Sequence, residues 1–315
     1  MDDNRRPTVA VVIPTHNRRS KLRRLLNCLA QGTVVADHTI VVADRCDDGT
    51  VEMLHTSFPD VEVIASETAL YSNGARALGL ARVTEDCVFF IDDDNVVERD
   101  CLRELVTAVV SQPDLGLVGP IMMRYPEGEG VWCAGGYLTR TGVRHRTELE
   151  AIRTGTLAPS LTRCDYLPNA FLGRTRILME EVPLDAQVFP HNWAEVDLGV
   201  RMAQAGYEVA VSGGATVWHD VGYAGWATRI GRWQVFDQAR SRLRFRRRFP
   251  GMCGSRLQFW ALTFPISTVY YLVKFARARD FRALTACYAR GTIEGAKGDV
   301  SAVHLYRGVQ SPGPR

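Results

Sequence analysis

Three consecutive carboxylates, Asp92, Asp93 and Asp94, follow the apolar run from Cys87 to Ile91. Adjacent acids repel one another unless a cation or hydrogen-bond donors offset their charge. A hard divalent ion that also bridges phosphate oxygens suits such a set. A solvated acidic loop with a helix N-cap is the competing reading. A second acidic pair, Glu195 and Asp197, stands two residues apart in His191-Asn-Trp-Ala-Glu-Val-Asp197. On a helix the two point to different sides. One can therefore accept a proton while the other supports the site. Ordinary first-turn acids complementing a helix dipole would look the same. His219, in Thr216-Val-Trp-His219, offers an imidazole, a better ligand for Mn2+ than for Mg2+. A lone histidine beside tryptophan also serves as a packing residue.

These groups need a scaffold, and the first third of the chain predicts one. Val9 to Ile13 is a continuous apolar run, as expected of a strand buried on both faces of a parallel sheet. Leu22, Leu25, Leu26 and Leu29 then recur at helical spacing over 20–31, with Ser20 available as a cap. Strands over 39–43, 61–65 and 87–91 alternate with helices over 49–58, 73–81 and 100–111. Such alternation implies an α/β fold with a doubly wound, mostly parallel sheet, which binds ligands at the carboxyl ends of its strands. Thr15, His16, Asn17 and Arg18, then Asp44, Asp47 and Asp48, then the three aspartates all fall at such ends. From about Gly116 the alternation stops and Gly, Pro and aromatic residues become common, predicting a mixed-sheet half. A strand over 207–211 with a turn at Gly213-Gly214 leads to His219, and residues after about 226 read as helical and basic.

The ordered segments Val11-Val-Ile-Pro-Thr-His-Asn-Arg18, Ile40-Val-Val-Ala-Asp-Arg-Cys-Asp-Asp-Gly-Thr50, Asn73-Gly-Ala-Arg-Ala77 and Phe90-Ile-Asp-Asp-Asp-Asn95 resemble those of family-two glycosyltransferases, which have the fold called GT-A. Bacterial rhamnosyl- and glycosyltransferases of glycan biosynthesis are of this kind. The resemblance covers roughly residues 8 to 250. It implies an inverting transfer from a nucleotide-sugar, UDP or dTDP favoured, with Mn2+ or Mg2+ as cofactor. By resemblance, Pro14, Thr15, Asn17 and Arg18 belong to the donor site, and Asp44 accepts from the base N–H. Arg76 sits near base or diphosphate, Asp92 and Asp93 hold the ribose side, and Asp94 ligates the metal, with His219 reaching metal or diphosphate. Glu195 aligns with the general base. Gly135, Gly136, Asn169 and Ala170 fall in the sugar and acceptor pocket. Trp193 either stacks on a sugar or anchors the core. Ala43, Ala77 and Ser241 depart from the family pattern, which commonly has an acidic or amide residue at the first position and Asn at the other two.

The remaining features bound the biology. Arg240, Arg244 and Arg247 share one helical face, a basic stripe for a donor diphosphate, a lipid-diphosphate acceptor or anionic headgroups, or simply a solvated face. Leu257 to Val273 carries no charge but is short for a spanning helix, so it reads as an interfacial segment or a packed one. The net charge of +3 gives no sign of nucleic-acid binding. Eight cysteines without a Cys-x-x-Cys pair, and a polar N-terminus, lead us to expect reduced thiols in a cytosolic enzyme, peripheral on the inner face of the cell membrane at most. The expected partners are the donor and a glycan, lipid-linked or small-molecule acceptor, with oligomeric state left open. We expect a transferase domain over 1–225 (donor half 7–115, acceptor half 116–225), a basic helical extension over 226–309 and a disordered tail from 310. A nucleotidyltransferase is the alternative enzyme. It should carry a glycine-rich loop with Lys after the first strand, where Pro14-Thr-His-Asn-Arg18 stands instead. A non-catalytic carbohydrate-binding protein is the alternative outside enzymes, and the intact acidic triplet with Glu195 argues against it. A glycosidase also uses two carboxylates but needs no nucleotide site.

Overall fold

A computed structural model describes residues 5–126, 130–148, 161–220, 231–276, 278 and 280–297. The tail expected from 310, and the residues at which the extension was expected to begin and end, lie outside the described residues. The chain forms two compact units. The first takes in Met1–Tyr137, His145–Leu184 and Leu198–Val221; the second takes in Leu138–Arg144, Asp185–Asp197 and Gly222–Arg315. A boundary near 225 thus leaves two inner segments, 138–144 and 185–197, on the other side of the division.

The first unit is built on one large sheet. Its strands are β1 (Val9–Thr15), β2 (His38–Asp44), β3 (Glu62–Ser66), β4 (Cys87–Ile91), β5 (Asn95–Val97), β6 (Leu115–Arg124) and β7 (Val131–Cys133), with β10 (Leu161–Arg163), β11 (Ala170–Arg174) and β12 (Glu208–His219). A separate pair, β8 (Gly136–Thr139) and β9 (Gly142–His145), forms a small second sheet. The main order is β10-β12-β6-β11-β4-β1-β2-β3. β4, β1, β2 and β3 run parallel, whereas β11 is antiparallel to both β4 and β6. The expected parallel half and mixed half are therefore both present.

The apolar run of β1 explains its central place. Val9, Val11 and Ile13 enter one core layer, while Ala10 and Val12 enter the other. Helix α1 (Arg19–Ala30) covers the first layer with Leu22, Leu25 and Leu26; α3 (Tyr71–Leu80) covers the second with Ala75 and Leu80. α2 (Thr50–Ser57) adds Met53 and Leu54 to the first layer, and α4 (Cys101–Ser111) adds Leu105 and Val109. All eight cysteines are free.

Two local expectations fail. Ser20 does not cap α1: the helix starts at Arg19, whose N–H donates to Asp48 Oδ2 at 3.0 Å, so a carboxylate from another loop satisfies the first turn. Nor does Gly213-Gly214 turn the chain. β12 runs through it as one strand, with Ser212 opposite Pro120 and Thr216 opposite Ile121. Residues 213–215 are thus a bulge, which glycine permits inside a ladder.

The second unit is helical. Beyond α5 (Ala194–Gln204), α6 (Arg232–Arg248) packs along α8 (Phe281–Lys297). A Cβ on Gly291 or Gly295 would run into the backbone carbonyl of Phe236 or Arg240, so the two helices touch backbone to backbone there. A helical run leads through 256–258 and a π-turn at Phe259–Thr263 into α7 (Phe264–Ala276). Pro265 lies just after that turn, where a missing N–H is tolerated. Val235, Ala239, Phe275, Leu284 and Tyr288 form this unit's own small core. Of the basic stripe expected on α6, Arg247 is exposed but Arg240 and Arg244 are not. Arg240 is 0% and Arg244 6% exposed, and Arg240 Nη1 donates to Val188 O at 3.1 Å. Neither side chain faces a headgroup, because helical spacing identifies a shared face without saying whether that face looks inward.

Candidate active site

The acidic turn follows β4, and the chain supplies cations around it. Arg76 on α3 is 1% exposed and sets Nη2 2.6 Å from Asp92 Oδ1. Its guanidinium lies 5.5 Å from the centre of the Phe171 ring. Arg18, at the end of the β1 loop, reaches Asp93 Oδ1 at 2.9 Å and Asp94 Oδ2 at 2.8 Å, while about half of its side chain stays exposed. Thr15 donates its hydroxyl to Asp93 Oδ2 at 2.7 Å. The repulsion inherent in three adjacent acids is thus offset by side chains from the end of β1 and from α3.

The two inner acids differ in protonation. Burial pushes the Asp93 carboxyl up to about 6 against the pull of Arg18, and Asp94 adds to the rise. For Asp94 burial works in the same direction, but the imidazole of His219 and the charges of Arg18 and Lys21 outweigh it and hold the group at about 2. Asp94 is therefore the firmly ionised member. Its Oδ1 is buried and takes no hydrogen bond; His219 Nε2 stands 3.5 Å away, beyond ordinary bonding distance. Among the described residues no group of three or more His, Cys, Asp or Glu side chains gathers as a ready-made metal cage.

His219 reaches this place because β5 pairs with the end of β12, setting His219 opposite Asn95. Asn169 Nδ2 lies 2.9 Å from His219 Nε2, and the Asp92 N–H donates to the Asn169 carbonyl at 3.2 Å. Asn169 holds a positive φ of 63°, which asparagine adopts more readily than most residues. Its neighbour Ala170 is buried in β11 opposite Ile91. Trp132 packs edge-on against the His219 ring at 4.5 Å. Asp220, next in the chain, is bonded to Arg24 at 2.9 Å and Lys21 at 3.2 Å, from the outer turn of α1.

The expected base-binding groups gather at the ends of β1 and β2. Pro14 and Thr15 are buried there, and Asp44 is 5% exposed. Asp44 Oδ2 accepts the Tyr71 N–H at 2.9 Å, and its Oδ1 meets Arg45 Nε at 2.9 Å. Asn17, also at positive φ, accepts the Asp47 N–H at 2.8 Å through Oδ1 and so ties the two loops together. Gly136 admits a protein ring: a Cβ there would overlap Tyr166, whose carbonyl accepts the Gly136 N–H at 2.9 Å. Gly135 holds a φ of +87°, a turn role that glycine fills without strain.

In the second unit, Glu195 and Asp197 lie in the first turn of α5. Asp197 is 1% exposed and meets Arg248 at 3.1 Å; Arg248 also holds Asp185 at 2.7 Å. Glu195 is half-buried. Trp193 is buried at positive φ and packs on Phe245 with ring centres 4.9 Å apart, so the structure shows the anchor role rather than an open stacking platform. Trp132, Lys21, Arg24 and Asp220 were not singled out from sequence. Partners that lie 196 to 199 residues apart leave no local pattern, although Lys21 and Arg24 do share a helix face by spacing.

The chain is similar to several known proteins. The pre-mycofactocin glycosyltransferase of Mycobacterium tuberculosis (strain ATCC 25618 / H37Rv) is 28% identical over 214 residues, covering 67% of this chain and 42% of that protein. The match thus spans less than half the length of that relative. An O-antigen chain rhamnosyltransferase of Salmonella typhimurium (strain LT2) is 22% identical over 224 residues, covering 68% of this chain and 67% of the relative. Among solved structures, GalNAc-T7 with UDP, GalNAc and Mn2+ superimposes with a TM-score of 0.64 at 13% identity, covering 96% of this chain and 57% of that one. A mannosyltransferase from Pyrobaculum calidifontis in complex with GDP-Man and Mn2+ gives 0.53 at 16% identity, covering 94% and 88%. The fold is GT-A. The model of the family described as "Glycosyltransferase like family 2" matches residues 7–240, and the chain belongs to that family.

Proposed function

We propose that the protein transfers a sugar from a UDP- or dTDP-sugar to an acceptor hydroxyl with inversion at the anomeric carbon. The observation that carries this reading is Asp94, an ionised, buried carboxylate whose Oδ1 takes no hydrogen bond and faces an imidazole 3.5 Å away. Those two atoms suit a divalent ion, and imidazole favours Mn2+ over Mg2+. Bound there, the ion would neutralise charge on the leaving diphosphate. Two proteins of the same fold form complexes with Mn2+ and UDP or GDP-Man, which supports the reading. A pyrimidine that carries an N–H donor matches Asp44 as acceptor, since each carboxylate oxygen can take a second donor. Arg76 would lie near base or diphosphate, and Arg18 would belong to the donor site. The enzyme would act in the cytosol, where nucleotide-sugars are made, on a glycan, lipid-linked or small-molecule acceptor.

In the step itself, the acceptor oxygen bonds to the anomeric carbon while the bond from that carbon to the diphosphate oxygen breaks. The nucleoside diphosphate leaves with the electron pair, and the acceptor proton passes to a carboxylate. We assign that role to Glu195. Asp197 is buried and held by Arg248, whereas Glu195 is half-buried. Glu195→Gln should lower kcat by about 10²–10⁴ with donor affinity retained; turnover at the wild-type level would remove Glu195 from the mechanism. Asp94→Asn should abolish the Mn2+-dependent part of donor binding, read as the gain in melting temperature with UDP plus Mn2+ over UDP alone. An undiminished gain would contradict the assignment.

A further inference from the structure

The helical run from Arg256 to Ala276 has an outer face left exposed by the described residues. Leu257 is 79% exposed, and Leu262, Ile266, Val269, Tyr270 and Val273 are each 51–60% exposed. The last five follow the spacing i, i+4, i+7, i+8, i+11, which lines one face of a helix. The opposite face is also apolar: Phe275 is buried, and Tyr271 and Leu272 pack on the small core of the second unit. Isolated exposed apolar side chains need no explanation, but a contiguous stripe marks an interaction surface. At 17 residues, Leu257 to Val273 extends about 25 Å along the helix.

The surrounding charge selects the partner. No Asp or Glu occurs between Asp237 and Asp280, a stretch that holds nine arginines and Lys274. Several of those arginines serve the fold. Arg240 and Arg244 are buried, Arg248 pairs with Asp185 and Asp197, Arg247 donates to the Ala296 carbonyl, and Arg242 and Arg246 stack on Phe259 at the base of the run. Arg256 and Lys274 stand one at each end of the apolar stripe, and Arg277 and Arg279 follow in the sequence. Arg256 is exposed, and Lys274 sets its Nζ 4.5 Å from the centre of the Tyr270 ring. Trp260 is 45% exposed beside the stripe, an aromatic of the type that settles at a lipid–water boundary. A second copy docked face to face would bring the same acid-free basic surface against this one, which like charge disfavours. No helix among the described residues is long and apolar enough to cross a bilayer.

We propose that the outer face of the 257–273 run lies flat on an anionic lipid surface, with apolar side chains in the acyl boundary and Arg256 and Lys274 at the headgroups. This surface is separate from sugar transfer, so its test requires neither donor nor acceptor. The full chain would be sedimented with vesicles of phosphatidylcholine alone and of phosphatidylcholine with one-third phosphatidylglycerol. Wild type should pellet with the anionic vesicles and be released by high salt. Ile266→Asp combined with Val269→Asp should weaken that binding about tenfold or more, and so should Arg256→Glu combined with Lys274→Glu. Ile266 and Val269 are exposed, so that variant should keep the wild-type melting temperature, and its lost binding reads the surface and not the fold. Wild type remaining in the supernatant with anionic vesicles would overturn the proposal, as would either pair binding like wild type. Self-association without lipid that Ile266→Asp/Val269→Asp abolishes, alongside absent vesicle binding, would instead assign the face to a second copy.

Discussion

Arg18 holds the place of a cation between Asp93 and Asp94. An ion arriving at Asp94 must share that carboxylate with Arg18 or displace it. The half-exposed guanidinium has room to swing away without breaking a packed core. Arg18→Gln should therefore lower stability without metal by about 1–3 kcal/mol, since it strips a charge partner from buried acids. Mn2+ should recover more of the loss in the variant than it adds to wild type. Thermal melts with and without the ion would check this; equal Mn2+ gains in both proteins would mean that Arg18 and the ion do not compete. At this scale the sequence was legible in part. The triplet, Arg18 and His219 stood out by residue type and place. Which cation serves which acid did not, because Arg18 and Asp94 are brought together by folding across 76 residues.

Among the elements, the parallel half was readable and the mixed half much less so. β1, β2 and β4 are apolar runs bounded by turn residues, and α1 repeats leucine at helical spacing, so local pattern and tertiary role agree. β6 carries Gly116, Gly119 and Pro120 within its length, residues that read as breaks, yet it pairs along both edges. α6 misled for another reason: its arginines alternate with Phe236, Leu243 and Phe245, and it is packed on more than one side. Gly291 belongs to the same packing. Gly291→Ala would force α8 off the Phe236 carbonyl and should cost about 1–3 kcal/mol, against a negligible effect for Gly251→Ala, where a Cβ meets nothing. Chemical denaturation of both variants would test the contrast; equal midpoints would show that the helices give way freely.

For the molecule as a whole, the second unit is assembled from three separated stretches of chain. Residues 185–197 are held there by C-terminal groups: Asp237 accepts the Asn192 N–H at 2.8 Å, Phe245 packs on Trp193, and Arg248 pairs with Asp197. A chain stopped after residue 221 would retain every strand of the main sheet while stripping Trp193 of its partner and leaving Asp197 buried without its arginine. It should lose cooperative melting and show a red-shifted tryptophan emission. A sharp transition at the wild-type temperature would show that the first unit and its inserts stand alone. The matched family segment ends at residue 240, inside α6, so the family boundary and the folding boundary differ.

The bulge in β12 carries a condition on register. Ala210 stands opposite Val118 and His219 opposite Arg124, so both side chains share one face of the sheet although one number is even and the other odd. The three surplus residues at 213–215 bring about that exchange; in an unbroken strand His219 would project with Val211, away from Asp94. What holds the imidazole toward the acid is the ladder beyond the bulge, where β12 pairs with β6 and β5. A residue gained or lost within 213–215 should therefore spare the site as long as Thr216 keeps its place opposite Ile121, whereas a one-residue slip of that ladder turns His219 to the far side of the sheet.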